Sequence, residues 1–203
     1  MLVAGFPAGS FAANCYLVAT EPGAECLIID PGEDAEPGIA EIVARHRLKP
    51  VAVLLTDPAR GLSLRPGLEL FGGLTFSEPD DVRELTDGAV LSLAGLEITV
   101  DHAPGHTPGS VAFRSSTSVM FSGDLLFAGS IGRTDLPGGD PAAMMDSLAR
   151  VCLTLPDETA VLPGHGPQTT IGAERAGNQF LAGLRPGAGP GAQTARPGRA
   201  TGL

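Results

Sequence analysis

Residues 101–124 read Asp101-His-Ala-Pro-Gly-His106-Thr-Pro-Gly-Ser110-Val-Ala-Phe-Arg114-Ser-Ser-Thr-Ser-Val-Met120-Phe-Ser-Gly-Asp124. His106 sits in a loop framed by proline and glycine, just ahead of a strand expected at 110–114. Asp124 closes the next expected strand, 118–122. Further on, Val161-Leu-Pro-Gly-His165-Gly-Pro167 repeats the design, an apolar strand running into a histidine between glycines. Two imidazoles and a carboxylate, each at a strand end between flexible residues, form a candidate metal or acid–base constellation.

Working outward, Asn14–Ala19 and Glu25–Asp30 are β-rich runs joined by Glu21-Pro-Gly-Ala24, a hairpin pattern. Asp30-Pro31-Gly32 ends the second strand and leads into a helix of about 13 residues with Ile39, Ile42 and Val43 on one face. His46 falls near that pattern at its end and reads as helix surface. Lys49-Pro50 stops the helix, and Val51–Thr56 is a continuous apolar run of the kind a strand buried on both faces would have. From Asp57 to Gly67 prolines and glycines break any period, so a loop of about 15 residues or more is expected. Asp87-Gly88 marks a hairpin turn, and strands are expected at 89–93 and 96–100 around Ala94-Gly95. A Gly-rich loop spans Gly129 to Asp140, and Asp140 caps a helix over 142–153 behind Pro141, with Met145, Leu148 and Cys152 on one face. A last strand at 159–162 and a final helix over 171–184 complete the pattern. The reading is an α/β domain over residues 1–184, with a disordered Gly/Pro/Arg tail at 185–203.

The chain has 203 residues, 43% of them hydrophobic, and a net charge of −10. One domain with a real core is the economical reading. The acidic balance excludes a basic track for phosphates, so nucleic acid is not expected as a partner. No positively charged, apolar leader opens the sequence, and no run reaches the roughly 18 apolar residues that span a bilayer. Neither export nor membrane association is expected. Cys15, Cys26 and Cys152 are widely spaced, so they read as buried free thiols in a cytoplasmic protein.

Five ordered segments resemble the metallo-β-lactamase fold, in its glyoxalase II-like (hydroxyacylglutathione hydrolase) branch. They are Asn14-Cys-Tyr-Leu17, Ile29-Asp-Pro-Gly32, Ala103–Ser110, Phe121–Asp124 with Leu126–Asp135, and Leu162-Pro-Gly-His-Gly166. The resemblance implies an αββα sandwich with two zinc ions at one edge, which generate a nucleophile near neutral pH and polarise a thioester carbonyl. It implies that His106 binds the first metal, that Asp124 bridges the two and that His165 binds the second. It gives His102 no ligand role, and that residue reads as a surface or supporting histidine.

The same resemblance calls for an H-x-H-x-D-H motif directly after the strand ending at Thr56, where this chain has Asp57-Pro-Ala-Arg-Gly-Leu62. No histidine occurs between His46 and His102. The expectation is an internal deletion near 57–76 that removes the metal loop with one helix–strand unit. Neither metal then keeps three of the ligands the resemblance implies, short of the minimum for zinc. One metal remains feasible if His106, Asp124 and His165 converge. Asp57 is a candidate substitute oxygen ligand, though a turn or helix cap before Pro58 is its ordinary reading. No G-x-S-x-G or paired Cys–His offers another nucleophile. The expected function is therefore a thioester-type, zinc-dependent hydrolase with dinuclear catalysis lost or impaired and zinc occupancy reduced or absent. Its partner, if it is active, is a small-molecule substrate. The alternatives are a non-catalytic binding or scaffold protein on the same fold, or a truncated gene product. An uncovered sheet edge would favour a homo-oligomer.

Overall fold

Along strand β2 (Ala13–Ala19) every residue from Cys15 to Ala19 is buried, so both faces of this strand are covered. It pairs antiparallel with β1 (Leu2–Ala8) and with β3 (Glu25–Ile29), and β3 pairs parallel with β4 (Lys49–Leu54). Cys15, Leu17, Ala19, Cys26 and Ile28 face helix α1 (Glu36–His46), where Ile42 meets them. The alternate set, Tyr16, Val18, Leu27, Ile29 and Leu54, faces inward against a second sheet. The computed structural model describes residues 1–57 and 83–187.

The second sheet has the order β12-β11-β8-β7-β6-β5. Its members are β5 (Val90–Leu93), β6 (Leu96–His102), β7 (Val111–Ser115), β8 (Val119–Gly123), β11 (Ala160–Pro163) and β12 (Thr169–Thr170). Ile98, Val100, Phe113 and Phe121 complete the core between the sheets. Each of the two phenylalanines contributes about 1.5–3 kcal/mol by leaving water. The outer face offers Ala112, Met120 and Val161 to Met144, Leu148, Val151 and Cys152 of helix α2 (Pro141–Ser147), which continues as a π-helical turn to Cys152, and to Ile171 of α3 (Ile171–Gly177). The layers are thus helix, sheet, sheet, helix, as expected. A two-stranded ribbon, β9 (Leu126–Phe127) with β10 (Ser130–Ile131), follows Asp124.

Several local expectations hold. The hairpin between β2 and β3, the turn at Ala94-Gly95 with both residues at positive φ, and the Asp140 cap are all present. Asp140 Oδ1 accepts from the N–H of Ala142 at 2.8 Å and of Ala143 at 3.0 Å. The three cysteines are buried and unpaired, and burial pushes the Cys15 thiol up to about 12. His46 is half-buried at the end of α1.

Others are corrected. Strand β1 lies where no strand was expected, because Gly5 and Pro7 interrupt its pattern, and an edge position tolerates both. Strand β4 is not buried on both faces. Ala52 and Leu54 point into the sandwich, whereas Val51, Val53 and Leu55 are 48%, 53% and 44% exposed. The reason is topological: β4 is an edge strand among the described residues, and α1 covers the other end of the sheet. Asp87-Gly88 turns the chain into β5 rather than joining two strands. The last helix ends at Gly177, where Asn178 leaves helical geometry and donates to Glu174 and to the Ser130 carbonyl. The expected deletion and loop from Pro58 to residue 76, and the tail from 188 onward, lie outside the described residues. Among the described residues no helix is long and apolar enough to cross a membrane.

Candidate metal centre

Strands β8 and β11 are parallel neighbours with Gly123 opposite Pro163. Their C-terminal ends therefore deliver Asp124 and His165 side by side, although the two are far apart in sequence. The loop before β7 brings His106 to the same rim. Helix α2 clasps that loop: the N–H of Asp140 donates to the Gly105 carbonyl (2.8 Å), Ser147 Oγ to the Pro104 carbonyl (2.7 Å), and the Arg150 guanidinium to the His102 carbonyl. His102 itself meets the Pro108 carbonyl through Nε2 at 2.9 Å, so it braces the loop from outside.

The three residues singled out from the sequence converge. His106 Nε2 lies 3.3 Å from Asp124 Oδ2, and His165 Nε2 lies 3.8 Å from Asp124 Oδ1. Asp57 joins them, with Oδ2 at 3.7 Å from His106 Nε2 and Oδ1 accepting from Thr107 Oγ1 at 2.7 Å. Burial raises the Asp57 carboxyl above its ordinary value, opposed by the Thr107 hydroxyl and the His106 ring. The carboxylate thus turns into the site. A cap onto the backbone from Pro58 onward would involve residues outside those described.

Protonation of His106 follows from its partners. Nδ1 meets the Arg133 carbonyl at 2.8 Å, and a carbonyl can only accept, so Nδ1 carries the proton. In the neutral ring Nε2 is a bare lone pair, aimed at two carboxylates. Such an arrangement is repulsive unless a cation or a second ring proton sits among these atoms. A carbonyl behind the far nitrogen is also how metal-binding imidazoles are held.

Donors around one ion with bonds near 2.0–2.2 Å stand about 3.0–3.6 Å apart. The observed separations of 3.3, 3.7 and 3.8 Å lie at or just beyond that range. Among the described residues no group of three or more His, Cys, Asp or Glu is placed to hold a metal ion as it stands. In donor type alone, imidazole and carboxylate, this set suits one divalent cation. Among the described residues it is too small for two, since His165 and Asp124 alone would have to hold the second.

Residues without an assigned role in the sequence reading hold this rim together. Asn14 donates from Nδ2 to the carbonyls of Pro163 (2.9 Å) and Gly166 (2.8 Å), bracketing His165, and its N–H donates to the Gly164 carbonyl (2.7 Å). Tyr16 Oη adds a bond to the Pro163 carbonyl at 2.8 Å. A Cβ on Gly164 would stand 2.5 Å from Asp124 Oδ1, so only glycine lets the carboxylate lie there. On the other sheet Thr56 donates to Asp30 from both its N–H and its hydroxyl, each at 2.7 Å. The Thr56 carbonyl accepts from the Val111 N–H across the sandwich at 2.7 Å. The signal available for Asn14, Tyr16, Asp30 and Thr56 was a polar group inside or ending an apolar run. Their partners lay too far along the chain to identify.

Burial raises the Asp30 carboxyl from its ordinary 3.8 to about 6, against the two Thr56 hydrogen bonds, with Asp124 and Asp57 adding repulsion. Its contribution to stability is therefore full below about pH 4 and is lost as pH rises through 6, a change on the order of 2–3 kcal/mol. Asp30→Asn keeps one acceptor for the Thr56 N–H and removes the charge. In urea unfolding of chelator-treated protein, the variant should gain on the wild type as pH goes from 4 to 7. Parallel stability profiles would refute this account.

The comparisons with known proteins agree with this architecture. The sequence model of the metallo-beta-lactamase superfamily matches residues 59–165. An uncharacterised protein of Mycobacterium tuberculosis is 41% identical over 223 residues, taking in 91% of this chain and 99% of the relative. Hydroxyacylglutathione hydrolase GloC of Haemophilus influenzae is 33% identical over 204 residues, covering 86% of this chain and 95% of that enzyme. The crystal structure of the BLEG-1 B3 metallo-beta-lactamase superposes with a TM-score of 0.81 at 34% identity, covering 90% of this chain and all of that one. The chain belongs to the metallo-β-lactamase superfamily, whose members bind metals such as zinc or iron.

Proposed function

We propose that this chain is a metal-dependent hydrolase of the glyoxalase II-like branch, directed at a thioester-type substrate, in which dinuclear catalysis is lost or strongly impaired. The observation that carries the proposal is the Asp124 carboxylate, flanked by His106 on one oxygen and His165 on the other, with no group of three or more His, Cys, Asp or Glu placed to hold a metal ion among the described residues. The identity to the Haemophilus influenzae hydroxyacylglutathione hydrolase supports the branch. An internal deletion, placed near 57–76 by the absence of the histidine motif there, is supported in its existence by alignment length. The match to the Mycobacterium relative runs over 223 positions, yet takes in only 91% of a chain of 203 residues. The relative therefore has internal residues with no counterpart here.

A bound zinc would lower the pKa of a water and polarise the carbonyl. The chain's own residues supply the rest. The Arg133 carbonyl fixes the His106 tautomer, Thr107 aims Asp57, and Asn14 with Tyr16 holds His165 against Asp124. The net charge of −10 supports a small-molecule substrate over nucleic acid, and three unpaired thiols suit a cytoplasmic setting.

The test is hydrolysis of a hydroxyacyl-glutathione thioester after zinc reloading, beside the Haemophilus influenzae enzyme. The expected kcat/KM is lower by more than about 100-fold, as befits loss of direct ligands rather than of supporting ones. Equal turnover would sink the impaired-site reading. A second reading, a binding or scaffold protein on the same fold, draws on the exposed row of Val51, Val53 and Leu55 at the sheet edge. Absence of both turnover and bound metal would favour it.

A further inference from the structure

We infer that strand β4 docks a second copy of this chain. Two β4 edges pair antiparallel about a two-fold axis at Val53, so that two four-stranded sheets become one continuous sheet. The inference needs neither a bound metal nor turnover, so it stands or falls apart from the proposed function.

Among the described residues the two sheets end on β1, β4, β5 and β12. Three of these edges are poor templates for another chain. Strand β12 has two residues, β5 has four with the polar Ser92 exposed, and β1 carries Gly5 and Pro7, which has no N–H to give. Strand β4 is blunted only at its start, by Lys49, Pro50 and the register shift opposite Cys26 and Leu27. Residues 51–55 contain no charge, proline or glycine, and Val51, Val53 and Leu55 are about half exposed. The backbone is open there as well. Alternate residues of a ladder face the neighbouring strand, and Leu54 turns its carbonyl to β3, where it accepts from the Asp30 N–H at 3.0 Å. Val53 and Leu55 therefore turn their N–H and C=O groups to the free edge.

A second copy matches this edge in hydrogen bonding, shape and charge. With the two-fold at Val53, each Val53 exchanges both backbone bonds with its counterpart, and Leu55 lies opposite Val51. The three apolar side chains of each copy then form one row, shielded from water by the other three. The same register carries Lys49 of each copy toward Asp57 of the other. Parallel pairing would instead set Lys49 beside Lys49 and Asp57 beside Asp57, so charge selects the antiparallel arrangement. A two-fold contact uses both β4 edges and leaves only β1, β5 and β12 outward, so the assembly closes at two copies. Pro50 ends the ladder after about five residues, and so short a contact predicts dissociation at roughly tens of micromolar rather than a permanent dimer.

The experiment is sedimentation of the full chain in chelator at physiological salt, from about 1 to 200 μM, a range that brackets the expected dissociation. The apparent mass should rise from the 20.6 kDa of one chain toward twice that value. Val53→Lys sets two like charges against each other at the axis and should weaken association at least about tenfold. Lys49→Glu should weaken it by a smaller factor. Val90→Lys makes the same change on the exposed edge of β5 and should leave association as in the wild type. Thermal melting at 1 μM, where every variant is a monomer, checks that each is folded. Register is read by Val53→Cys, which a short bis-maleimide should join to its counterpart while Val90→Cys stays unlinked; the three native thiols are buried. A wild-type mass independent of concentration would show that no second copy docks on β4 and would overturn the inference. Dimers that survive Val53→Lys but not Val90→Lys would overturn it equally, by placing the contact on β5.

Discussion

Asp124→Ala will remove metal uptake, weakening zinc affinity by at least about 100-fold, more than any other single change at this rim. The expectation follows from position. Among the described residues Asp124 is the one side chain that meets both imidazoles, with His106 on Oδ2 and His165 on Oδ1. Removing it leaves His106 with Asp57 alone and His165 with no anionic neighbour among the described contacts. Two donors do not hold zinc at micromolar levels against water, whichever pair remains. The fold should tolerate the change, because the Asp124 carboxylate faces the rim and its described partners are these two rings. Unfolding free energy in chelator should stay within about 1 kcal/mol of the wild type. Elemental analysis after reloading and dialysis reads the result directly. An Asp124→Ala protein that keeps the wild-type metal content would mean the ion sits elsewhere, and the centre described here would have to be abandoned.

That His106, Asp124 and His165 were legible from sequence has a local cause. Each sits beside a glycine at a strand end or in the loop between two strands, and such positions on one rim of a sandwich are brought together by topology. The parallel pairing of β8 with β11 then does the positioning. Asp57 was harder to read. Pro58 follows it, so a cap was the natural local interpretation, and the side chain that turns it inward, Thr107, is 50 residues away. The Asn14 clamp on the His165 loop spans 149 residues and leaves no local trace beyond an asparagine beside buried apolar positions. The layers were legible because the β-rich apolar runs of β2 and β3, the turn between them and the helical spacing in α1 are strong local signals. The apolar run through β4 misled for the opposite reason. Five apolar residues in a row look the same whether both faces are covered or one is open, and here Val51, Val53 and Leu55 face outward. Periodicity also could not mark the end of α3. That end is set by Glu174, a buried carboxylate that accepts from the Gly129 N–H and from Thr169 and Asn178.

Gly132→Ala should unfold the protein or cost about 3 kcal/mol or more, the largest stability effect expected of a single methyl group here. A Cβ on residue 132 would stand 1.8 Å from the Asp124 carbonyl oxygen and 2.8 Å from its carbon. Both are backbone atoms, so no rotamer change can make room. The neighbouring backbone is pinned as well, since the Leu125 N–H donates to the Ser122 carbonyl and the Gly164 N–H to the Gly123 carbonyl. Relief requires either residues 123–125 to move, which shifts Asp124 off His106 and His165, or the loop carrying Arg133 to retreat. Retreat withdraws the carbonyl that fixes the His106 proton on Nδ1. The substitution therefore couples stability to the site, and any folded fraction should bind zinc poorly. Gly177→Ala is the matched control, the same added methyl at the end of α3 with nothing within 4 Å of it. Urea unfolding of the two variants decides the matter. Equal midpoints would show that the loop after β10 does not press on Asp124, and the close approach that positions the carboxylate would have to come from elsewhere in the fold.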